Sequence, residues 1–302
     1  MKVLFLGTGD IAIPTFRWLL ESDHELIALV TQPDKPAGRS MTLTPPRIKE
    51  VAEEAGVPVL QPEKIGSISE KLETFGADLF VVMAYGQYLP KKITAIASKG
   101  CINLHASLLP RHRGASCIQA AIREGDERSG VTIMHVAPEM DAGNIIVSVE
   151  TPIGRTTTGG ELHETLSDLG PLALEKGLAE LGPGTAQDSG ESTYAPKLLR
   201  PDGEIDWTQS AESIERLIRA YDPWPGTFTT FPGRKGRQIR LKIFPQTCVV
   251  SKVGQPGEIV RADSESVTVC CGEDALEVSQ VQIEGKKRGV GLESLTVGLK
   301  LG

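Results

Sequence analysis

"KVLFLGTGDIAIPTFRWLLE" (residues 2–21) sets three textures in a row. Val3 to Leu6 are apolar without alternation, Gly7 and Gly9 bracket a turn, and Ala12, Phe16, Leu19 and Leu20 recur at helical spacing. A strand with no polar face is covered on both sides, as in a parallel sheet flanked by helices. The texture repeats. "ELIALVTQ" (25–32), "DLFVVMAY" (78–85), "GCINLHA" (100–106), "GVTIMHV" (130–136) and "NIIVSVE" (144–150) read as strands. Helical patterns at 11–21, 45–55, 67–75 and 115–124 lie between several of them, and in the last Ile118, Ala121 and Ile122 share a face. Strand–helix alternation of this kind predicts an α/β fold, a doubly wound, mostly parallel, Rossmann-like sheet.

The texture changes near residue 187. "PGTAQDSGESTYAPKLLRPDGEIDW" (183–207) is rich in Gly, Pro, Ser and Thr and reads as a linker between domains. "SAESIERLIRAY" (210–221) reads as an amphipathic helix capped by Ser210 and stopped by "DPWPG". Short strand patterns with Gly-rich turns follow, which predicts a small C-terminal β-barrel of the OB type. The expected organisation is a first domain over 1–187, a linker over 188–206 and the barrel domain over 207–302.

The 302 residues suffice for one large or two ordinary domains, and 40% apolar with 24% charged residues is a globular composition. No run is long and apolar enough to span a membrane, and "MKVLFLGTGD" breaks into a Gly turn too early for a signal peptide. Five Cys without a CxxC suggest neither a disulfide framework nor a zinc site, so a reducing, cytoplasmic setting is expected. The net charge of −7 is unevenly spread. Residues 1–204 carry 19 basic and 27 acidic side chains, and residues 205–302 carry 13 and 12. "GRKGRQIRLK" (233–242) and "GKKRG" (285–289) are local basic clusters that a polyanion could use.

The chemistry concentrates in "CINLHASLLPRHRGAS" (101–116). On a strand Asn103 and His105 point to one face, where a buried strand normally carries Val or Ile. An unpartnered polar group there costs roughly 1–3 kcal/mol, so either the pair is satisfied or the strand ends at a site. An imidazole can act as general acid or base near neutrality, and an amide can donate to a developing oxyanion. Asp141, in "VAPEMDAGN" (136–144), follows the next strand, and adjacent strands would bring the two loops together at one sheet end. The loop "GTGDIA" (7–12) fits a dinucleotide fingerprint, yet the acid expected about 20 residues later is displaced: Asp34 lies beyond a Pro in "LVTQPD". A metal held by His105, His135 and Asp141 is conceivable, but no HxH, HxxxH or HExxH spacing supports it.

"GCINLHASLLPRHRGAS" followed by "EMDAGNII" resembles the signature of the folate-dependent formyltransferases: Asn-x-His, Ser-Leu-Leu-Pro and a downstream Asp. Sugar-amine and glycinamide ribonucleotide formyltransferases share that much. "TQPDKPAGR" (31–39), "VVMAYGQYLP" (81–90) and "IDWTQSAESIERLIRAYDPWPGTF" (205–228) resemble the branch that formylates methionyl-tRNA. The resemblance spans nearly the whole chain. It implies transfer of a formyl group from 10-formyltetrahydrofolate, a co-substrate, to the α-amine of initiator methionyl-tRNA. It makes Asn103, His105 and Asp141 the catalytic trio and Ser107, Leu108, Leu109 and Pro110 the folate-binding segment. Arg39 becomes a contact to the tRNA acceptor end. The barrel becomes a tRNA-binding domain, with no metal, membrane or obligate protein partner. Transfer to a small-molecule amine is the alternative. Gly9 and Cys117 stand where that family more often has proline, and "SMTLTPPR" after Arg39 is less basic than its usual loop.

Overall fold

The computed structural model describes residues 1–38, 41–233, 237–289 and 291–302, so Arg39 and part of the 233–242 run lie outside the described residues. The chain divides into two compact units. One comprises Met1–Cys117, Arg128–Pro152 and His163–Ala195; the other comprises Ile118–Glu127, Ile153–Leu162 and Pro196–Gly302.

The first unit is built on strands β1 (Lys2–Gly7), β2 (Glu25–Val30), β3 (Lys35–Ala37), β4 (Thr42–Thr44), β5 (Val59–Leu60), β6 (Leu79–Met83), β7 (Cys101–His105), β8 (Arg128–His135) and β9 (Ile145–Pro152). Seven of them form one sheet in the order β5-β2-β1-β6-β7-β8-β9. The pairings from β5 to β7 are parallel, whereas β7–β8 and β8–β9 are antiparallel. Val3 to Leu6 are fully buried, as the unbroken apolar run of β1 requires. The strand order reverses between β1 and β6, so the crevice beyond their C-terminal ends is where a sheet of this kind receives a ligand. β3 and β4 pair as a hairpin inside the Pro-rich 31–47 loop, which carries no strand pattern in its sequence.

The helices begin with α1 (Ile13–Glu21), α2 (Arg47–Glu54), α3 (Ser69–Thr74), the one-turn α4 (Lys91–Thr94) and α5 (Cys117–Arg123). The 21-residue α6 (Gly159–Ala179) is absent from the sequence-based expectation. It holds Gly159, Gly160, Gly170, Pro171 and Gly177, and each interior Gly costs about 1 kcal/mol of helix propensity against Ala. Two of them have a packing reason. A Cβ on Gly170 would collide with Thr15, and one on Gly177 would stand 2.9 Å from Ile133. The backbone of α6 therefore lies close against α1 and β8, tied further by the Ser167 hydroxyl donating to the Ile11 carbonyl at 3.0 Å.

In the second unit α7 (Ala211–Ala220) starts as expected, with the Ser210 hydroxyl accepting from the Ser213 N–H. Its strands are β10 (Thr227–Pro232), β11 (Gln238–Ile243), β12 (Thr247–Val250), β13 (Ile259–Ala262), β14 (Val267–Cys270), β15 (Ala275–Val278) and β16 (Val281–Ile283). They form two antiparallel sheets, β10-β11-β16 and β12-β15-β14-β13; among the described residues neither sheet closes on itself. Both sheets and α7 feed one core, in which Trp207, Ile214, Phe231, Leu241, Val267 and Leu276 are buried. The Ile153–Leu162 segment completes this unit: Gly160 N–H donates to the Asp222 carbonyl, and Arg219 to that of Thr157. Among the described residues no helix is long and apolar enough to cross a membrane.

Candidate active site

β7 delivers Asn103 and His105 to the end of the sheet, beside Val82 of β6 on one side and opposite Met134 and Thr132 of β8 on the other. Asn103 is half-buried, and its amide keeps no hydrogen bond among the described residues. His105 is 6% exposed. Its Nε2 lies 2.9 Å from the His112 carbonyl oxygen. A carbonyl only accepts, so Nε2 carries a hydrogen in either protonation state. Its Nδ1 faces Asp141 Oδ2 at 3.7 Å, too far for a hydrogen bond and close enough for charge attraction. Burial disfavours the charged ring. The Cys117 sulfur, by charge and hydrogen bonding, together with the Asp141 carboxylate and the His112 carbonyl, outweighs it and raises the His105 pKa to about 9. The second proton then sits on Nδ1.

Asp141 reaches His105 by a route other than the one expected. β8 runs antiparallel to β7, with His135 opposite Ile102 and Thr132 opposite His105. The 136–144 loop therefore leaves from the far end of β7 and folds back. Only glycine permits the fold at 143, because a Cβ there would run into the His135 carbonyl. Asp141 adopts a left-handed conformation (φ 53°), and its Oδ2 accepts from the Gly114 N–H at 2.8 Å. The Gln187 side-chain amide donates to the carbonyls of Asp141 and Gly143, both at 2.8 Å. Its oxygen accepts two N–H bonds from the buried Arg113 guanidinium, at 3.1 and 2.9 Å. Arg113, Gln187 and Thr193 carry no local signal in the sequence. They lie far apart along the chain, and two of them sit in a stretch that reads as a linker. Through Ala195 that stretch belongs to the first unit.

In the segment Ser107, Leu108, Leu109, Pro110, the Ser107 hydroxyl is fully buried and donates to the Arg111 carbonyl at 2.8 Å. The Thr132 hydroxyl donates to the Ser107 carbonyl and accepts from the Leu109 N–H. These polar groups are spent internally, and Leu108 and Pro110 are half-buried. The 84–90 loop lies on the next strand. Gln87 bridges the Ile65 N–H and the Pro62 carbonyl, and the buried Tyr85 hydroxyl has no partner among the described residues.

The fingerprint loop is committed to the scaffold. Thr8 donates to the Tyr85 carbonyl and accepts from the Gln32 N–H, and Asp10 at the helix start pairs with Arg47. A pyrophosphate there would face the Asp10 carboxylate. His135 Nε2 meets the Gly182 carbonyl at 2.6 Å, and among the described residues no group of three could hold a metal. In the second unit Arg240 and Lys242 lie on the exposed face of β11. Arg240 stacks over Phe228 and Arg288 over Phe244, while Lys286 pairs with Glu293.

Residues 1–178 match the formyl transferase family, and residues 197–295 match the formyl transferase C-terminal domain. A methionyl-tRNA formyltransferase of Akkermansia muciniphila is 50% identical over 295 residues, covering 95% of this chain and 94% of the relative. One of Geobacter metallireducens is 39% identical, covering 95% and 93%. Among solved structures, an N-formyltransferase from Helicobacter canadensis with folinic acid and dTDP-3-aminofucose superposes with a TM-score of 0.67 at 16% identity, covering 93% of this chain and all of that one. At that identity the likeness is one of fold.

Proposed function

The chain belongs to the formyl transferase family, and from that premise we infer that it transfers a formyl group from 10-formyltetrahydrofolate to the α-amine of initiator methionyl-tRNA. The observation that carries the chemistry is the pairing of a free Asn103 amide with a His105 ring held between the His112 carbonyl and Asp141. Such a site suits a carbonyl oxygen that gains negative charge, because it combines an uncommitted donor with a fixed positive charge.

The folate supplies the formyl group, and the half-buried surfaces of Leu108 and Pro110 would hold it. Asn103 directs its N–H bond at the oxygen. His105 has its Nε2 hydrogen occupied by His112, so its contribution is positive charge and the Nδ1 proton. That proton faces the Asp141 carboxylate across 3.7 Å. The Cys117 sulfur and Asp141 together favour the charged ring, and no step calls for a metal or a nicotinamide.

On this reading residues 1–187 form the catalytic domain, 188–206 the linker and 207–302 the tRNA-binding domain. The two antiparallel sheets of the latter are the walls of a small OB-like barrel, supported by their common core. Arg39 contacts the acceptor end. Arg240 and Lys242 on β11 contact the duplex backbone together with Lys287 and Arg288, the last stacked over Phe244 and bonded to Gln280. The site of action is the cytoplasm. Formyl transfer to charged initiator tRNA, measured beside free methionine and small sugar amines, tests the reading. Preferential formylation of a sugar amine would overturn it.

A further inference from the structure

His105 is flanked by the His112 carbonyl, which accepts from its ring, and by the Asp141 carboxylate at 3.7 Å, and both belong to residues with left-handed backbones (φ 59° and 53°). Such a backbone is uncommon for a non-glycine residue and persists where its surroundings hold it. One stretch of chain holds both. Gln187 ties down the carbonyls of Asp141 and Gly143 and is itself gripped by Arg113. Six residues on, the Thr193 hydroxyl accepts from the His112 N–H at 2.8 Å. Backbone bonds complete the clamp. Ile145 and Thr185 exchange two, at 2.8 and 2.7 Å, Arg113 N–H donates to Thr193, and Ala195 N–H donates back to Arg113. Gly114 is pressed so close to Ala195 that a Cβ would collide with its carbonyl.

We propose that residues 185–195 are a catalytic strap, with Gln187 and Thr193 as positioning residues that set the Asp141 carboxylate and the His112 carbonyl on either side of His105. The strap touches no reacting atom and acts through Asp141 and His112. A single segment thereby places two of the groups that orient the ring and favour its charged form. The charged and titratable groups facing the ring are Asp141 from the β8–β9 loop and Cys117 from the start of α5. Gln187 fixes the first and Thr193 fixes the carbonyl that completes the set.

This inference rests on the reading of His105 as the centre of formyl transfer, and the experiment separates the two. Gln187→Met removes the amide, Gln187→Glu keeps a partner for Arg113 but sets carboxylate oxygens against two carbonyls, and Thr193→Val removes the acceptor for His112. Thr193→Ser restores a hydroxyl. Wild type and His105→Ala are measured in parallel, well below each variant's Tm and with circular dichroism confirming the fold. Misplacing catalytic groups by about 1 Å can cost on the order of 100-fold. The expected result is a kcat loss of about 10- to 100-fold for the first three variants, KM for both substrates within about threefold, and recovery in Thr193→Ser. A structural role alone would lower Tm and leave kcat of the folded enzyme unchanged. The His105 ring is also titrated by nitrogen-15 NMR, which needs no acceptor; its pKa should fall in Gln187→Met and Thr193→Val. Should Gln187→Met fail to fold, Gln187→Glu and Thr193→Val carry the comparison. Folded variants with wild-type kcat and an unshifted His105 titration overturn the strap. A wild type that formylates no charged tRNA overturns the functional reading instead, and the NMR titration then still decides the strap.

Discussion

Replacing Asp141 by Asn removes one charge and almost no volume, and the structure sets the size of the effect. At 3.7 Å and an effective dielectric near 20, a unit charge pair is worth about 4 kcal/mol. One pKa unit corresponds to about 1.4 kcal/mol, so the ceiling is a fall of roughly three units in the His105 pKa. Asparagine can still accept the Gly114 N–H through its oxygen, so the loop stays in place. The wild-type ring, raised to about 9, is charged at neutral pH, and the alkaline limb of kcat should lie near pH 9. In Asp141→Asn that limb should move roughly one to three units toward acid, and kcat at pH 7.5 should fall by about 1.3-fold for one unit and about 30-fold for three. Stability follows the same sign. A His whose folded pKa exceeds its unfolded value adds stability that is full below pH 6.5 and lost as pH rises through about 9, so the pH dependence of Tm over that window should flatten in the variant. The assay is initial-rate formyl transfer at saturating substrates from pH 6 to 10. A folded Asp141→Asn enzyme whose limb stays near pH 9, beside a Cys117→Ala enzyme whose limb moves, refutes the argument and assigns the ring's charge to the sulfur.

Asn103→Ala removes the free donor and should lower kcat by about 10²–10³ with little change in KM, read by single-turnover transfer; a loss confined to KM would contradict a role at the oxyanion. Exhaustive treatment with a chelator should leave activity unchanged, whereas loss restored by zinc would reinstate a metal. Neutralising Lys286, Lys287 and Arg288 together should raise KM for tRNA and flatten its salt dependence, a slope of roughly −0.9 per duplex phosphate contacted; an unchanged slope would place the backbone contacts elsewhere. Arg39→Ala should lower kcat/KM strongly through loss of positioning at the reacting end, and an effect on affinity alone would remove it from the acceptor end.

The strands of the central sheet are legible because burial on both faces leaves an unbroken apolar run, as in β1, β2 and β6. The last two strands of the sheet, β8 and β9, look like the others in sequence, and nothing in their pattern separates antiparallel from parallel pairing. α6 is hidden by residues chosen for close packing against Thr15 and Ile133, since the Gly that permits contact also weakens the helical signal. The hairpin of β3 and β4 is masked by its prolines. Asn103 and His105 stand out because polar side chains interrupt an apolar strand. Asp141 is legible as a neighbour, although the path that brings it there is a folded-back loop. Gln187 and Thr193 are invisible for the opposite reason: ordinary polar residues in a Gly- and Ser-rich stretch, given meaning only by what they grip 46 and 81 residues away.

The two units share out the chain in an order that matters while the polypeptide is being made. Ile118–Glu127, with Ile118, Ala121 and Ile122 buried in the finished protein, groups with residues that follow Pro196. Arg123 reaches Tyr221, and Gly125 lies beside Arg216. A ribosome adding about 5–20 residues per second needs roughly 5–20 s to travel from residue 127 to the end of α7. For that interval the residues with which Ile118–Glu127 groups have not all been synthesised, so this segment completes its contacts only after α7 has emerged.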